Sequence, residues 1–220
     1  MKKTQGFTLV EIAIVLVIIG LLLGGILKGQ EMITQAKIKN LIADFSGISA
    51  AYHGYQDRYR AIPGDDSGAL ARWGVAPAAV SGDGNGVVGG DYNTTGAAPA
   101  GATGESRRWW DHLRRAGFVA GTGDQQPFNA VTGLLGVQTG GGTLGATALG
   151  GFGALIVCSA NMPDKIAIAV DTQMDDGSAI TGSVRGQLHA GGPNPQVQVA
   201  APGATYAETG TNVYTLCRSL

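Results

Sequence analysis

Residues 7 to 27 read FTLVEIAIVLVIIGLLLGGIL, an apolar run with a single charged residue, Glu11. The run is about 21 residues long, close to the roughly 20 that an α-helix needs to cross a bilayer. The segment MKKTQG precedes it with two lysines, and Lys28 follows it. This pattern predicts a membrane-spanning helix whose basic leader lies on the cytoplasmic side, so that the rest of the chain is exported.

A cleaved secretory signal peptide is the first alternative for this run. Such a peptide has an apolar region of about 7–15 residues and a small-residue cleavage site after it. Here the run is longer, contains an acid near its start, and is followed by KGQEMI, which offers no such site. We therefore interpret the helix as a retained part of the protein.

Glu11 is unusual because it is an acid inside an apolar helix. An ionised carboxylate at a helix centre costs roughly 3 kcal/mol on insertion scales, and acids in such positions are usually functional and paired. The run contains no Lys, Arg or His. We therefore predict a partner at a chain terminus, in another subunit or at the membrane interface. The alternative is a carboxylate that is protonated or reaches the headgroups.

The segment KKTQG–FTLVE resembles the leader and cleavage motif of type IV prepilins, over about the first 30 residues. The resemblance implies that a prepilin peptidase cleaves the Gly6–Phe7 bond and that Phe7 is then N-methylated. It also implies that Glu11 pairs with the Phe7 amine of a neighbouring subunit during assembly.

The resemblance further implies a structural subunit of a type IV pilus-like or type II secretion pseudopilus filament, a helical homo-oligomer. The precursor would be a single-pass inner-membrane protein with its head in the periplasm. Inner-membrane machinery would assemble it into a filament that spans the periplasm or reaches the cell surface. The sequence does not separate a major pilin, a minor pilin and a pseudopilin. The alternative is a membrane-tethered adhesin or binding module that acts without polymerising.

The helix is predicted to continue beyond the membrane, because an apolar stripe recurs at helical spacing as far as the breaker Ile62-Pro63-Gly64. The stripe lasts about three heptads, and the helix segment that carries it contains two glycines. We therefore favour packing against the later part of the chain over a self-contained coiled coil. The predicted stripe consists of Ile38, Leu41, Phe45, Ile48, Tyr52, Tyr55 and Tyr59.

An α+β fold is predicted, with the long N-terminal helix packed on a small C-terminal head that contains an antiparallel sheet. The predicted regions are a leader (1–6), a transmembrane and filament-core helix (7–28), its amphipathic continuation (29–62) and the head (63–220). Helices are predicted at 69–73, at 105–116 and from Asn161 and Pro163 onward. Strands are predicted at 153–160, 178–187, 197–201 and 212–217. Residues 121–151 are rich in glycine and give no clear prediction.

The net charge and the cysteines indicate which partners and which redox compartment to expect. The formal net charge is −1, which gives no strong electrostatic reason to expect a nucleic-acid partner. Cys158 and Cys217 lie on the exported, oxidising side, and we predict that they form a disulfide. The alternative is two buried free thiols.

One segment resembles part of a calcium-binding loop. In SGDGNGVVGGDYN, Asp83, Asn85 and Asp91 alternate with glycines, as oxygen ligands do in calcium loops. The EF-hand pattern fails, because Tyr92 stands where the last ligand, a glutamate, belongs. The prediction is an irregular Ca²⁺ site, and the alternative is a polar surface loop; no other cofactor is expected.

No pattern predicts an enzyme. Asp65-Asp66 and Asp175-Asp176 each stand beside glycine, where aspartate favours turns, and the sequence contains no G-x-S-x-G or H-E-x-x-H motif. One helix combines basic and aromatic residues, a pattern that can bind nucleic acid. We favour an ordinary amphipathic helix with solvated arginines; the residues are Arg107, Arg108, Trp109, Trp110, Arg114 and Arg115.

Overall fold

The computed structural model describes residues 8–95, 104–189, 191–199 and 205–220. The chain divides into two compact units, Met1–Lys37 and Ile38–Leu220. Helix α1 contributes to both units. The elements in chain order are α1 (Leu9–Tyr59), α2 (Ala69–Arg72), α3 (Glu105–Arg115), β1 (Leu135–Thr139), a 3₁₀ turn (Gly142–Leu144), β2 (Leu155–Pro163), α4 (Asp164–Met174), β3 (Val184–Leu188) and β4 (Val213–Ser219).

Helix α1 forms one wall of the core of the second unit. The predicted apolar stripe is buried from Ile38 to Tyr55, and Tyr59 is partly buried at its end. It packs in one core cluster with the indoles of α3 and with residues of the sheet and of α4. The prediction that this half of the helix packs against the later chain is therefore confirmed.

A glycine inside α1 is explained by this packing. A Cβ at Gly54 would lie 2.7 Å from the Phe118 ring, closer than side chains approach each other. Glycine costs about 1 kcal/mol of helix propensity relative to alanine. Packing of the Phe118 ring against the helix offsets this cost.

Buried polar groups link the end of α1 to α2 and α3. The Tyr55 hydroxyl donates to Asp66 Oδ2 at 2.5 Å, and the same oxygen forms an ion pair with Arg72. On α3, His112 Nδ1 accepts from the Gly64 backbone N–H at 2.9 Å. Because Nδ1 is an acceptor, Nε2 carries the proton and donates to the Val80 carbonyl, 2.9 Å away. Burial lowers the pKa of His112, which favours this neutral form.

The head contains a four-stranded sheet of order β1-β2-β4-β3. All three strand pairs are antiparallel. The α+β fold with an antiparallel sheet is thus confirmed. The order places β2 and β4, which carry the two cysteines, in the centre of the sheet.

Several predicted strand limits were wrong. The strand predicted from 178 begins only at Val184, because Asp175 and Asp176 fold the preceding residues into turns. Residues 197–199 form no strand; their backbone instead bonds to the 149–150 loop, while 200 and 201 lie outside the described residues. Strand β2 continues to Pro163, so helix α4 starts at Asp164. Strand β1 lies in the glycine-rich region that gave no prediction.

Candidate functional site

The predicted processing site lies just ahead of the described chain. Gly6 and Phe7 are outside the described residues, which begin at Thr8. Cleavage between them and methylation of Phe7 therefore stay predictions.

Glu11 has a hydrogen-bonding partner within its own chain, which sequence reasoning missed. Its Oε2 accepts from the Thr8 backbone N–H at 2.7 Å and from the Thr8 hydroxyl at 2.8 Å. In return the Thr8 hydroxyl accepts from the Glu11 backbone N–H at 3.3 Å. This is a capping box, in which an N-cap Ser or Thr and a Glu three residues later satisfy each other's backbone N–H groups. The Thr8-x-x-Glu11 spacing was the signal that could have revealed it.

This capping box fixes the carboxylate without neutralising it. Both donors from Thr8 reach the same oxygen, Oε2. Neither donor carries a formal charge, so this contact supplies no cation to the carboxylate at the start of α1. Helix N-termini favour negative charge, since their unpaired N–H groups give a partial positive charge. A cation is still needed where water is excluded.

The apolar part of α1 is uncovered. Within the described residues, α1 is the one helix long and apolar enough to cross a membrane. Its large side chains from Leu9 to Leu27 are exposed, for example Leu9 at 86% and Leu21 at 73%. A Cβ placed at Gly20, Gly24 or Gly25 would meet no atom within 4 Å. Among the described residues, the close helix approach that such glycines permit is therefore not used.

The two cysteines form the predicted disulfide. Cys158 on β2 and Cys217 on β4 face each other directly in the strand register, and a bond joins them. Both side chains are fully buried. The disulfide closes a sequence separation of 59 residues and ties the C-terminal strand to the middle of the sheet.

Of the three residues predicted to bind calcium, Asp83 and Asn85 bond each other, whereas Asp91 bonds elsewhere. Asp83 accepts from the backbone and the side chain of Asn85 at 3.1 and 2.9 Å. Asp91 instead bonds Thr143, through the backbone N–H at 2.8 Å and the hydroxyl at 2.6 Å. Calcium binding stays a prediction, and the carboxylates around Asp83 offer a different ligand set.

Asp83 is grouped with two carboxylates that sequence reasoning did not connect with it. Ligand oxygens of Asp65, Asp83 and Glu105 all lie within 4.8 Å of one another. Asp65 and Glu105 are buried, whereas Asp83 is exposed. Burial raises the pKa of Glu105, backbone hydrogen bonds oppose this, and the neighbouring Asp83 and Asp65 charges add to the rise.

The two buried carboxylates hold the acidic loop through its backbone. Asp65 accepts from the N–H groups of residues 84, 85 and 86 at 2.8 to 3.0 Å. Glu105 accepts from the N–H groups of Asp83 and Gly89 at 3.1 and 3.0 Å. The Asp65-Asp66 pair is thus more than a local turn, because Asp65 orders a loop about twenty positions later and Asp66 binds Tyr55.

Helix α3 does not present an aromatic surface. Trp109 and Trp110 are both buried in the core. Arg107 pairs with Asp124 at 2.7 Å, and Arg115 pairs with Asp111 at 2.6 Å. Base stacking needs exposed rings, so this helix lacks the feature that first suggested nucleic acid.

Comparison with known proteins identifies the N-terminal segment. Residues 1–27 match the family model of the prokaryotic N-terminal methylation motif, which is the signature of type IV pilins and pseudopilins. No curated protein and no solved structure matches the chain. The match covers the leader, Phe7 and Glu11, and it does not extend to the head.

Proposed function

We propose that this chain, which carries the type IV pilin and pseudopilin signature at residues 1–27, is a structural subunit of a type IV pilus-like or type II secretion pseudopilus filament. The observation that carries the proposal is the start of α1. There an uncovered apolar helix begins with a carboxylate whose hydrogen-bonding partner within the described residues, Thr8, carries no charge.

The uncovered helix needs two environments in succession. An exposed apolar surface of this size marks an interaction with membrane or protein. Before assembly the bilayer covers it, with the head in the periplasm. After assembly the same helices of neighbouring subunits cover it in the filament core. The glycines at positions 20, 24 and 25 would let these helices approach closely.

Glu11 would direct the transfer of the helix from the bilayer into the filament core. Cleavage after Gly6 by a prepilin peptidase creates a new amine on Phe7, close to Glu11 along the chain. In a neighbouring subunit shifted along the helix axis, that amine would meet the Glu11 carboxylate. Charge-assisted hydrogen bonds of this kind are stronger than neutral ones, most of all where water is excluded. The pair would therefore set the axial register of the filament.

A membrane-tethered adhesin or binding module is the second candidate. It would use the same anchor, but its head would act as a monomer. It needs neither cleavage at Gly6 nor a charge at Glu11 for activity. The two candidates therefore differ in whether subunits polymerise.

The deciding experiment is to shear surface filaments from cells that express the protein and to identify their main component by mass spectrometry. We expect a chain that begins at Phe7 with an N-methyl group. A membrane-bound chain that still begins at Met1, or a chain cut after residue 27, would contradict the proposal. Cells in which the prepilin peptidase is inactivated provide the control for the cleavage.

A further inference from the structure

We propose that the head binds a neutral saccharide in a pocket beside Phe128. This pocket, called the Phe128 pocket here, has a volume of about 330 Å³. That volume is at the small end of the range for small-molecule sites. The residues that line it include Arg107, Asp124, Gln125, Gln126, Phe128 and Leu134.

An exposed aromatic ring forms one wall of the pocket. Phe128 is 68% exposed, whereas Leu134 beside it is 6% exposed. The electron-rich face of an aromatic ring attracts weakly positive groups, and the C–H groups on one face of a sugar ring are of this kind. Phe128 is therefore suited to stack against a hexose.

The backbone that carries Phe128 is held in place before any ligand arrives. Phe128 pairs with Leu134 in an antiparallel bridge. The next residue, Asn129, is buried and pins this hairpin to the sheet: its amide nitrogen donates to Ser159 Oγ at 2.8 Å and to the Ala160 carbonyl at 2.7 Å. A backbone that is already ordered loses little entropy on binding, which favours affinity.

Polar groups complete the pocket without giving it a net charge. Arg107 binds the Asp124 carboxylate at 2.7 Å, so their charges compensate each other. Gln126 uses both of its N–H groups on the Tyr92 and Thr94 carbonyls, at 2.9 and 2.7 Å, which leaves its carbonyl oxygen to accept. Within the described residues, the exposed Gln125 side chain makes no hydrogen bond and can both donate and accept.

This combination selects the ligand class. A charged ligand would have to compete with the Arg107–Asp124 pair, and a purely apolar one would leave the amides unsatisfied. A neutral saccharide of one or two units has hydroxyl groups for the amides and an apolar face for Phe128. Since the site lies within one head, binding does not depend on filament formation.

The test is saccharide binding by the full chain, solubilised in a detergent without a sugar headgroup. The probes are glucose, galactose, mannose, N-acetylglucosamine and their common disaccharides, measured by ligand-observed NMR and calorimetry. We expect at least one probe to bind with a dissociation constant on the order of 1 mM or below. Phe128→Ala should weaken it at least tenfold, whereas Phe128→Trp, which keeps an aromatic face, should retain it.

Matched controls separate binding beside Phe128 from binding elsewhere on the head. Phe118→Ala removes another partly exposed phenyl ring and should leave saccharide binding unchanged. Circular dichroism verifies that each variant is folded. The proposal is overturned if no probe binds, or if Phe128→Ala binds as well as the wild type. It is also overturned if Phe128→Ala lowers filament yield while no probe binds, because the pocket is then a contact between subunits.

Discussion

The carboxylate of Glu11 accepts two hydrogen bonds from Thr8, at 2.7 Å from the backbone N–H and at 2.8 Å from the hydroxyl. Both residues lie at the start of α1. The capping box therefore orients the one acid of the apolar run while leaving its charge without a cationic partner inside the described chain.

The first prediction concerns this cap. Replacing Thr8 with valine keeps the shape of the side chain but removes the hydroxyl, and N-cap losses cost about 1 kcal/mol. We expect faster amide exchange in the first turn of α1 for Thr8→Val in detergent micelles, with the remainder of the helix unchanged. Thr8→Ser, which keeps the hydroxyl, should behave like the wild type. Equal exchange in all three proteins would show that the cap does not order this turn.

The second prediction concerns the disulfide between the two central strands. Closing a loop of this size stabilises by up to roughly 4 kcal/mol, often less. Replacing both Cys158 and Cys217 with alanine should therefore lower the free energy of unfolding by a few kcal/mol, measured with urea. Peptide mapping without reductant should find the two cysteines joined. Two alkylatable thiols in the exported, folded protein would contradict the pairing.

The third prediction concerns Asp171, whose pKa is raised to about 6, chiefly by burial. Its carboxylate accepts from the Tyr206 hydroxyl at 2.5 Å and from the Gly177 N–H at 3.2 Å. The ordinary pKa is 3.8, so the folded state favours the protonated form. The stabilisation is full below pH 3.8 and is lost as the pH rises through about 6.

Asp171→Asn tests the direction of this pH dependence directly, because asparagine keeps the shape of the side chain and cannot ionise. We expect the variant to gain stability relative to the wild type between pH 4 and 7, as measured by urea unfolding at each pH. Asp176→Asn is the matched control, since Asp176 is exposed and hydrogen bonds lower its pKa. A stability difference between Asp171→Asn and wild type that does not vary with pH would refute the assignment.

The fourth prediction concerns calcium. If the loop around Asp83 binds Ca²⁺, millimolar Ca²⁺ should raise the melting temperature of the chelator-treated protein, and Mg²⁺ should not, because the two ions differ in preferred geometry. Asp83→Asn should remove the effect. Asp91→Asn distinguishes the two ligand sets. It should keep the effect if Asp83 binds Ca²⁺ with its neighbours Asp65 and Glu105, and lose the effect if Asp91 is a ligand. An unchanged melting temperature would favour the polar-loop alternative.

The parts of the fold that could be predicted depend on local periodicity. The long helix and its buried stripe follow from spacing alone, and α1 ends at Tyr59, just before the Ile62-Pro63-Gly64 breaker. Strand β1 could not be found in this way. Its LGVQT sequence lies among glycines and is fixed by pairing with β2, which follows it by some fifteen residues.

The parts of the candidate site that were missed depend on contacts distant in sequence. Asp65 and Glu105 reach the 83–89 loop from about twenty residues before and after it, and no local pattern encodes such contacts. The Thr8–Glu11 contact is different, because its spacing is local and the capping-box pattern predicts it. Because Glu11 lies in an apolar run, a distant cation was predicted as its partner, whereas the structure shows the neighbouring Thr8.

The most direct test of the proposed function is the yield of surface filaments relative to membrane-bound monomer for two Glu11 variants. Glu11→Gln keeps a side chain that can cap Thr8 but removes the charge, whereas Glu11→Ala removes both. We expect both variants to insert in the membrane at least as well as the wild type, since a costly charge is lost. Filament yield should fall by about tenfold or more in both, because a buried charge pair is broken. Normal filaments from Glu11→Ala would contradict the pairing of Glu11 with the Phe7 amine.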